Sequence, residues 1–300
     1  MELRNLRLMF LFVILVLTSC KEIVPPPLPE VVSMDMNPTV HPSGNYIVYL
    51  HATQDIADSS GLYILDLDTG VKTLLLSGDV MDPDFSPDGM WLVFNVGDQI
   101  FKVRLKNDMS GIDSSTLGQL TYEGRNYFPA WSPSGDLIAF DSNREGSGYK
   151  VWIRDSASGN FLRKICGGRN PDWAPSGDRI VYQGPPAGTG AEYEIWIIDT
   201  TSTDSQRISS FSEGYSPRNP AWSPDGEWIG YTWSYEMEGG IKLYSVHGDS
   251  TVSLIDMPAM DPAWFPDSRT LVFSALNPDR TKFVLWKINI DGTGLEQVTF

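Results

Sequence analysis

Three histidines, two cysteines and 38 carboxylates are the residues of this 300-residue chain with the types needed for acid–base, nucleophilic or metal chemistry. The histidines are His41, His51 and His247. No two of them follow His-x-x-x-His or His-Glu-x-x-His spacing, which would set two imidazoles around zinc on one helix face. No Gly-x-Ser-x-Gly elbow occurs, so the strained turn that exposes a hydrolase serine is missing from the sequence. Two carboxylates facing each other would serve as acid and base. Their spacing selects no pair, and solvation accounts for most of them. The expectation is no catalytic residue, no metal ligand and no cofactor. The cysteines are Cys20 and Cys166. Cys20 ends an apolar run that gives it another use, so no internal disulfide is expected and Cys166 reads as a buried thiol.

The formal net charge is −16. A field of that sign disfavours nucleic acid and anionic membrane surfaces. A charged partner would be basic where it makes contact.

The elements that would position these groups start with an address. Arg4 and Arg7 precede an unbroken apolar run from Leu8 to Leu17, of signal-peptide length and short for a membrane span. It ends in Leu17-Thr18-Ser19-Cys20, which resembles the bacterial lipobox. The resemblance implies cleavage after residue 19 and lipidation of Cys20, and several acyl chains on one residue hold a protein stably at a membrane. Membrane contact is then expected through that anchor only. Lys21 stands where an aspartate would retain such a protein in the inner membrane, which points to the outer membrane, facing the periplasm. Residues 20–36 contain Pro25-Pro26-Pro27-Leu28-Pro29 and read as an extended, semi-rigid tether.

From residue 37 to 300 the chain repeats itself six times. The copies begin NPTVHPSG at Asn37, DPDFSPDG at Asp82, FPAWSPSG at Phe128, NPDWAPSG at Asn170, NPAWSPDG at Asn219 and DPAWFPDS at Asp261. The copies are spaced by 42 to 49 residues, and a strand-rich period of that length is the signature of a β-propeller. Within a copy, a short strand carries one large apolar residue, as at Phe85 or Trp131. A Pro-containing turn follows, then an alternating strand, a third strand such as Lys150 to Ile153, and a polar fourth strand. Gln119-Leu120-Thr121 and Glu296-Gln297-Val298-Thr299 are copies of the fourth. The expected fold is all-β, a six-bladed β-propeller with four-stranded antiparallel blades. A blade must bury its faces on its neighbours, and that packing accounts for the recurrent Trp. His41, Ala174 and Phe265 replace the turn serine, and Ser268 replaces the last turn glycine; these read as drift. Whether residues 30–36 add a strand to the last blade or the ring closes by packing alone stays open at this level.

The repeats resemble the TolB-type family of WD40-like propeller repeats, whose core reads roughly P-x-W-S-P-D-G-x-x-I-x-F. The resemblance covers residues 37–300. It implies a non-catalytic binding module of the cell envelope, with a peptidoglycan-associated lipoprotein as the first candidate partner. Sixteen residues separate Cys20 from the first repeat, too few for the α/β domain that precedes the propeller in TolB. That departure favours a TolB-like binder over a strict TolB role.

A ligand of a propeller meets the residues just before each repeated Pro, at one mouth of the channel. Here they include Asn37, Asp82, Tyr127, Phe128, Arg169, Asn170, Arg218, Asn219 and Asp261. Arg169 and Arg218 are cations in an acidic chain and are expected to meet partner carboxylates. Strand initiation before Pro accounts equally well for the Asn and Asp residues. Two other readings remain: a glycan-binding module using exposed aromatics such as Tyr127, Phe128 and Trp233, and a propeller polysaccharide lyase.

Overall fold

The computed structural model describes residues 31–54, 60–146, 148–157, 162–185, 193–209, 216–235 and 238–300. The expected signal peptide, Cys20 and the Pro-rich stretch lie outside the described residues. Each repeat becomes one unit of antiparallel strands. Unit one is β1 (Ser33–Val40), β2 (Tyr46–Thr53), β3 (Gly61–Asp66) and β4 (Lys72–Ser77). Unit two is β5 (Val80–Phe85), β6 (Trp91–Val96), β7 (Gln99–Leu105) and β8 (Ile112–Gln119). Unit three is β9 (Asn126–Trp131), β10 (Leu137–Ser142), β11 (Lys150–Asp155) and β12 (Leu162–Gly167). Unit four is β13 (Arg169–Trp173), β14 (Arg179–Gly184), β15 (Glu194–Asp199) and β16 (Ser205–Arg207). Unit five is β17 (Ser216–Trp222), β18 (Trp228–Tyr235), β19 (Glu238–Ser245) and β20 (Ser250–Ile255). Unit six is β21 (Ala259–Trp264), β22 (Thr270–Leu276), β23 (Lys282–Asn289) and β24 (Glu296–Gln297).

Units two to five are separate four-stranded sheets, and units one and six share an eight-stranded one. The link is a short parallel pairing of Ser33 and Met34 on β1 with Lys282 and Phe283 on β23. Val32 N adds a bond to Thr281 O at 2.8 Å. Residues 33–36, expected in the tether, are therefore the first half of β1 and tie the start of the repeats to their end. First strands contact in a cycle: β1 on β5, β5 on β9, β9 on β13, β13 on β17, β17 on β21, and β21 on β1.

The middle strands explain the packing. Successive side chains of a strand point to opposite faces. On β11, Val151 and Ile153 join Trp173 and Ile180 of unit four, whereas Trp152 joins Val93 and Ile100 of unit two. Both faces are covered, so second strands read as near-continuous apolar runs such as Leu137-Ile138-Ala139-Phe140.

Turns stack between units. Ser86 Oγ accepts from Trp91 N and donates to Asp88 Oδ1, at 2.9 and 2.5 Å, closing the turn with its own side chain. In unit one His41 does this work instead, its Nδ1 accepting from Ser43 N at 3.0 Å. Gly89 sits at φ 71°, and a Cβ there would stand 2.1 Å from His41 Nε2. Ser268 holds φ 55° without being glycine, and its Oγ accepts from Asp225 N of the neighbouring unit at 3.0 Å. The replacements read as drift at 41 and 268 thus carry contacts between units.

The fourth strand departs from expectation in unit two. β8 ends at Gln119; Leu120 N still donates to Ile100 O at 2.7 Å, and the residue after it returns a hydroxyl. Thr121 Oγ1 accepts from Ile100 N at 2.8 Å. Ser209 and Thr299 repeat this in units four and six, at 2.7 and 2.9 Å. A hydroxyl has the acceptor the third strand needs, so no further strand backbone is required there.

Candidate functional site

The six residues before the repeated Pro all have positive φ: Asn37 48°, Asp82 50°, Phe128 50°, Asn170 48°, Asn219 50° and Asp261 51°. Each first strand is broken there by a bulge against its second strand. Asn and Asp tolerate this left-handed backbone, and Pro cannot donate to the ladder in any case. The recurrent Asn/Asp-Pro is thus the kink itself. Phe128 is the exception, a bulky residue held where such residues cost about 1–3 kcal/mol.

The kink frees amides, and carboxylates collect them. Asn37 N donates to Asp261 Oδ2 at 3.3 Å, and Asn170 N to Asp141 Oδ2 at 3.3 Å. Phe128 N donates to Asp82. One layer deeper, the position after Pro links neighbouring units. Thr39 Oγ1 donates to Asp84 Oδ1 at 3.3 Å, and Trp131 N to Asp84 Oδ2 at 2.7 Å. Trp173 Nε1 donates to Ala130 O at 3.2 Å, and Trp222 N to Asp172 Oδ2 at 2.7 Å. Trp264 Nε1 donates to Ala221 O at 3.0 Å, and Asn219 Nδ2 to Asp261 Oδ1 at 2.8 Å. With the bond from Asn37 N, every junction around the cycle carries a direct hydrogen bond between first strands.

Asp82, Asp84, Asp172 and Asp261 are half-buried, and Asp141 is buried. Burial pushes Asp82 up to about 7, and repulsion from Asp261 adds to it. Burial likewise pushes Asp84 up to about 7, against the Trp131 amide that favours its charge. Asp141, Asp172 and Asp261 are raised to about 6 by the same cause. Clusters of shifted groups gather at functional sites.

Opposite in character is the corner around Arg169. Its Nε donates to Asp141 Oδ2 at 3.0 Å, and Asp141 is wholly buried. The guanidinium lies 4.1 Å from the Tyr149 ring centre, 5.6 Å from Phe128 and 6.0 Å from Tyr127. Tyr127 OH in turn donates to Asp98. Arg169 is thus fixed through one nitrogen and one stack of rings, and its terminal nitrogens have no protein partner among the described residues. Arg218 is exposed and makes one long contact, Nε to Ser216 Oγ at 3.4 Å.

The sequence-derived ring residues other than Arg218 are therefore joined by the bonds and ring contacts above, whereas the Arg218 side chain reaches none of them among the described residues. Tyr127 and Phe128 were expected exposed; they are half-buried under Arg169, because its charge is best accommodated over ring faces. Trp233 is likewise half-buried, with Lys242 Nζ 5.2 Å from its ring centre. Asp84, Asp172, Asp141 and Tyr149 were not among the expected site residues. Asp84 and Asp172 stand after the repeated Pro, a readable signal, whereas Asp141 and Tyr149 join through strand register alone. Among the described residues, no group of three or more His, Cys, Asp or Glu is arranged to hold a metal ion.

Four-stranded antiparallel units, packed in a cycle through contacts of their kinked first strands, define a β-propeller. The family model for the TolB beta propeller domain matches residues 27–266, and the chain belongs to that family. An uncharacterised protein of Agrobacterium fabrum is 34% identical over 108 residues, which span 34% of this chain and 33% of that protein. The chain thus aligns with about a third of that relative. TolB from Acinetobacter baumannii superposes with TM-score 0.62 at 20% identity, covering 77% of this chain and 57% of that one. Oligogalacturonate lyase from Vibrio parahaemolyticus superposes with TM-score 0.60 at 14% identity, covering 91% of this chain and 79% of that one. At such identities the likeness is one of fold, which binders and enzymes share.

Proposed function

We propose that the six units are the blades of a closed propeller that binds a protein partner at its channel mouth without catalysis. The chain is a lipoprotein held through Cys20 at the outer membrane, facing the periplasm. One observation carries this reading: the channel rim presents an anchored cation, Arg169, and an exposed one, Arg218, beside carboxylates whose charge the fold leaves poorly compensated. Arg169 and Arg218 take carboxylates of the partner. Asp82 and Asp261 take a basic side chain, whose charge relieves their mutual repulsion. Mixed charges at a rim around aromatic anchors set register and specificity. A peptidoglycan-associated lipoprotein is the first candidate partner, by membership of the TolB propeller family.

The glycan-binding reading needs free ring faces, and Arg169 already covers Tyr127, Phe128 and Tyr149. The test is capture from crosslinked cell envelopes with the full chain tagged at its C terminus. Recovery of one envelope protein, lost in Arg218→Glu, is the expected result. Equal recovery by wild type and the variant rejects the proposed contact. Retention on a glycan array without any captured protein rejects the reading as a whole.

A further inference from the structure

A second charged site lies away from the channel, between units two and three. β11 turns Trp152 and Arg154 to the face that packs on unit two, and β7 of unit two brings Lys102 to meet them. Lys102 Nζ donates to Ser156 O at 2.6 Å, and Arg154 Nε donates to Asp155 O at 3.3 Å. The two cations therefore sit on consecutive carbonyls of one turn. Arg144 extends the row. Its guanidinium stacks 5.1 Å from the Trp152 ring centre, with Asn126 Oδ1 and Ser142 Oγ as its side-chain acceptors among the described residues.

None of the three cations forms an ion pair among the described residues. Asp155, whose charge acts favourably on Lys102 and Arg154, accepts from Ala157 N at 2.9 Å. Glu123, which faces Arg144, is exposed. Arg154 is only 7% exposed, so a guanidinium is buried on neutral acceptors alone. Beside it, the buried Trp152 Nε1 has no acceptor at all. Burial lowers the pKa of both Lys102 and Arg154, and repulsion within the row lowers them further. Buried charge is ordinarily paired. In a chain of net charge −16, three neighbouring cations with no carboxylate in ion-pair contact among the described residues are the opposite of what composition supplies by chance.

We propose that the cation cluster between units two and three, formed by Lys102, Arg144 and Arg154, binds a phosphate-type oxyanion, free or carried on a larger ligand. The guanidinium of Arg154 supplies forked donors and Lys102 a point charge. No bond is made or broken. The site is separate from the channel mouth and does not depend on the channel's partner.

The test uses the full chain and two probes at constant ionic strength balanced with chloride. One probe is inorganic phosphate, followed by calorimetric titration and by melting temperature. The other is phosphatidylglycerol vesicles, followed by co-sedimentation of the chain with its Cys20 replaced by Ser. Expected is saturable phosphate binding that weakens about tenfold or more in Lys102→Met and is retained in Lys102→Arg, as loss of one charge-assisted bond implies. Vesicle binding with the same dependence on Lys102, without a phosphate response, supports the site and assigns the anion to a lipid headgroup. Absence of both responses overturns the proposal. So does a phosphate response equal in wild type and Lys102→Met. If Arg154→Met fails to fold, the Lys102 pair of variants still decides.

Discussion

Replacing Asp82 by Asn tests the electrostatic reading of the channel most directly. Asn keeps the shape and the acceptor for the Phe128 amide and cannot ionise. Asp82 titrates near 7 in the fold, against 3.8 for the free side chain. Its folded pKa is raised, so the folded protein binds more protons than the unfolded chain between these values. Stability from this group is then greatest below about pH 4, falls as pH rises, and reaches its full penalty above about pH 7. Three pH units correspond to about 4 kcal/mol at most, at 1.36 kcal/mol per unit. Asp261 contributes part of the repulsion and regains freedom when Asp82 is neutral, so about 2–4 kcal/mol is the working range. For a domain of this size that is a rise in Tm of about 5–10 °C. The assay is thermal unfolding of wild type and Asp82→Asn side by side from pH 4 to pH 8. The variant should be the more stable at pH 8, and the difference should shrink below about 1 kcal/mol at pH 4. A difference that does not change with pH would show Asp82 ionising as an ordinary carboxylate and would refute the reasoning.

Other substitutions separate structural from binding roles. Arg169→Met leaves Asp141 buried without its cation and should cost about 3–5 kcal/mol in urea unfolding at pH 8; Arg218→Glu, on an exposed residue, should change stability by less than about 0.5 kcal/mol. Gly89→Ala places a methyl on His41 Nε2 at a positive φ and should lower stability by about 2 kcal/mol or more, whereas Gly70→Ala, with open space around it, should cost about 1 kcal/mol from φ alone. Asp172→Ala removes the acceptor of the Trp173 and Trp222 amides and should cost about 2–3 kcal/mol, with Asp172→Asn recovering most of it. Desolvation pushes the thiol of the half-buried Cys166 up to about 12, so in the Cys20→Ser chain it should react with a disulfide reagent at pH 8 far more slowly folded than unfolded; equal rates would contradict the raised pKa.

The repeat unit was legible in the chain because its determinants are local. A Pro, an Asp or Ser and a Gly within four residues make a turn wherever they occur, and alternating apolar residues on either side make strands. That is enough for the number of copies, the order of strands within each copy and the all-β class. The Asn/Asp-Pro pairs marked where a first strand was expected to start. Even here the reading stopped short. Asn and Asp were legible as strand starts, and the shared positive φ emerged only when each first strand was seen bulged against its second. The fourth strand of unit two misled because Thr121 resembles a strand residue and instead supplies a hydroxyl to Ile100.

What depended on the tertiary structure is whatever joins residues far apart in the chain. Asp261 finds Asn37 across 224 residues, and Ser33 pairs with Lys282, because the last unit returns to the first. Which of 38 carboxylates lose their water could not be read from composition, since desolvation is a property of the enclosed channel and not of Asp as a residue. The same holds for Arg169, marked by its charge in the sequence but given its anchor, Asp141, by strand register. Lys102, Arg144 and Arg154 are ordinary surface residues in one dimension. The packing of unit two on unit three makes them neighbours, and burial of their face sharpens the repulsion among them.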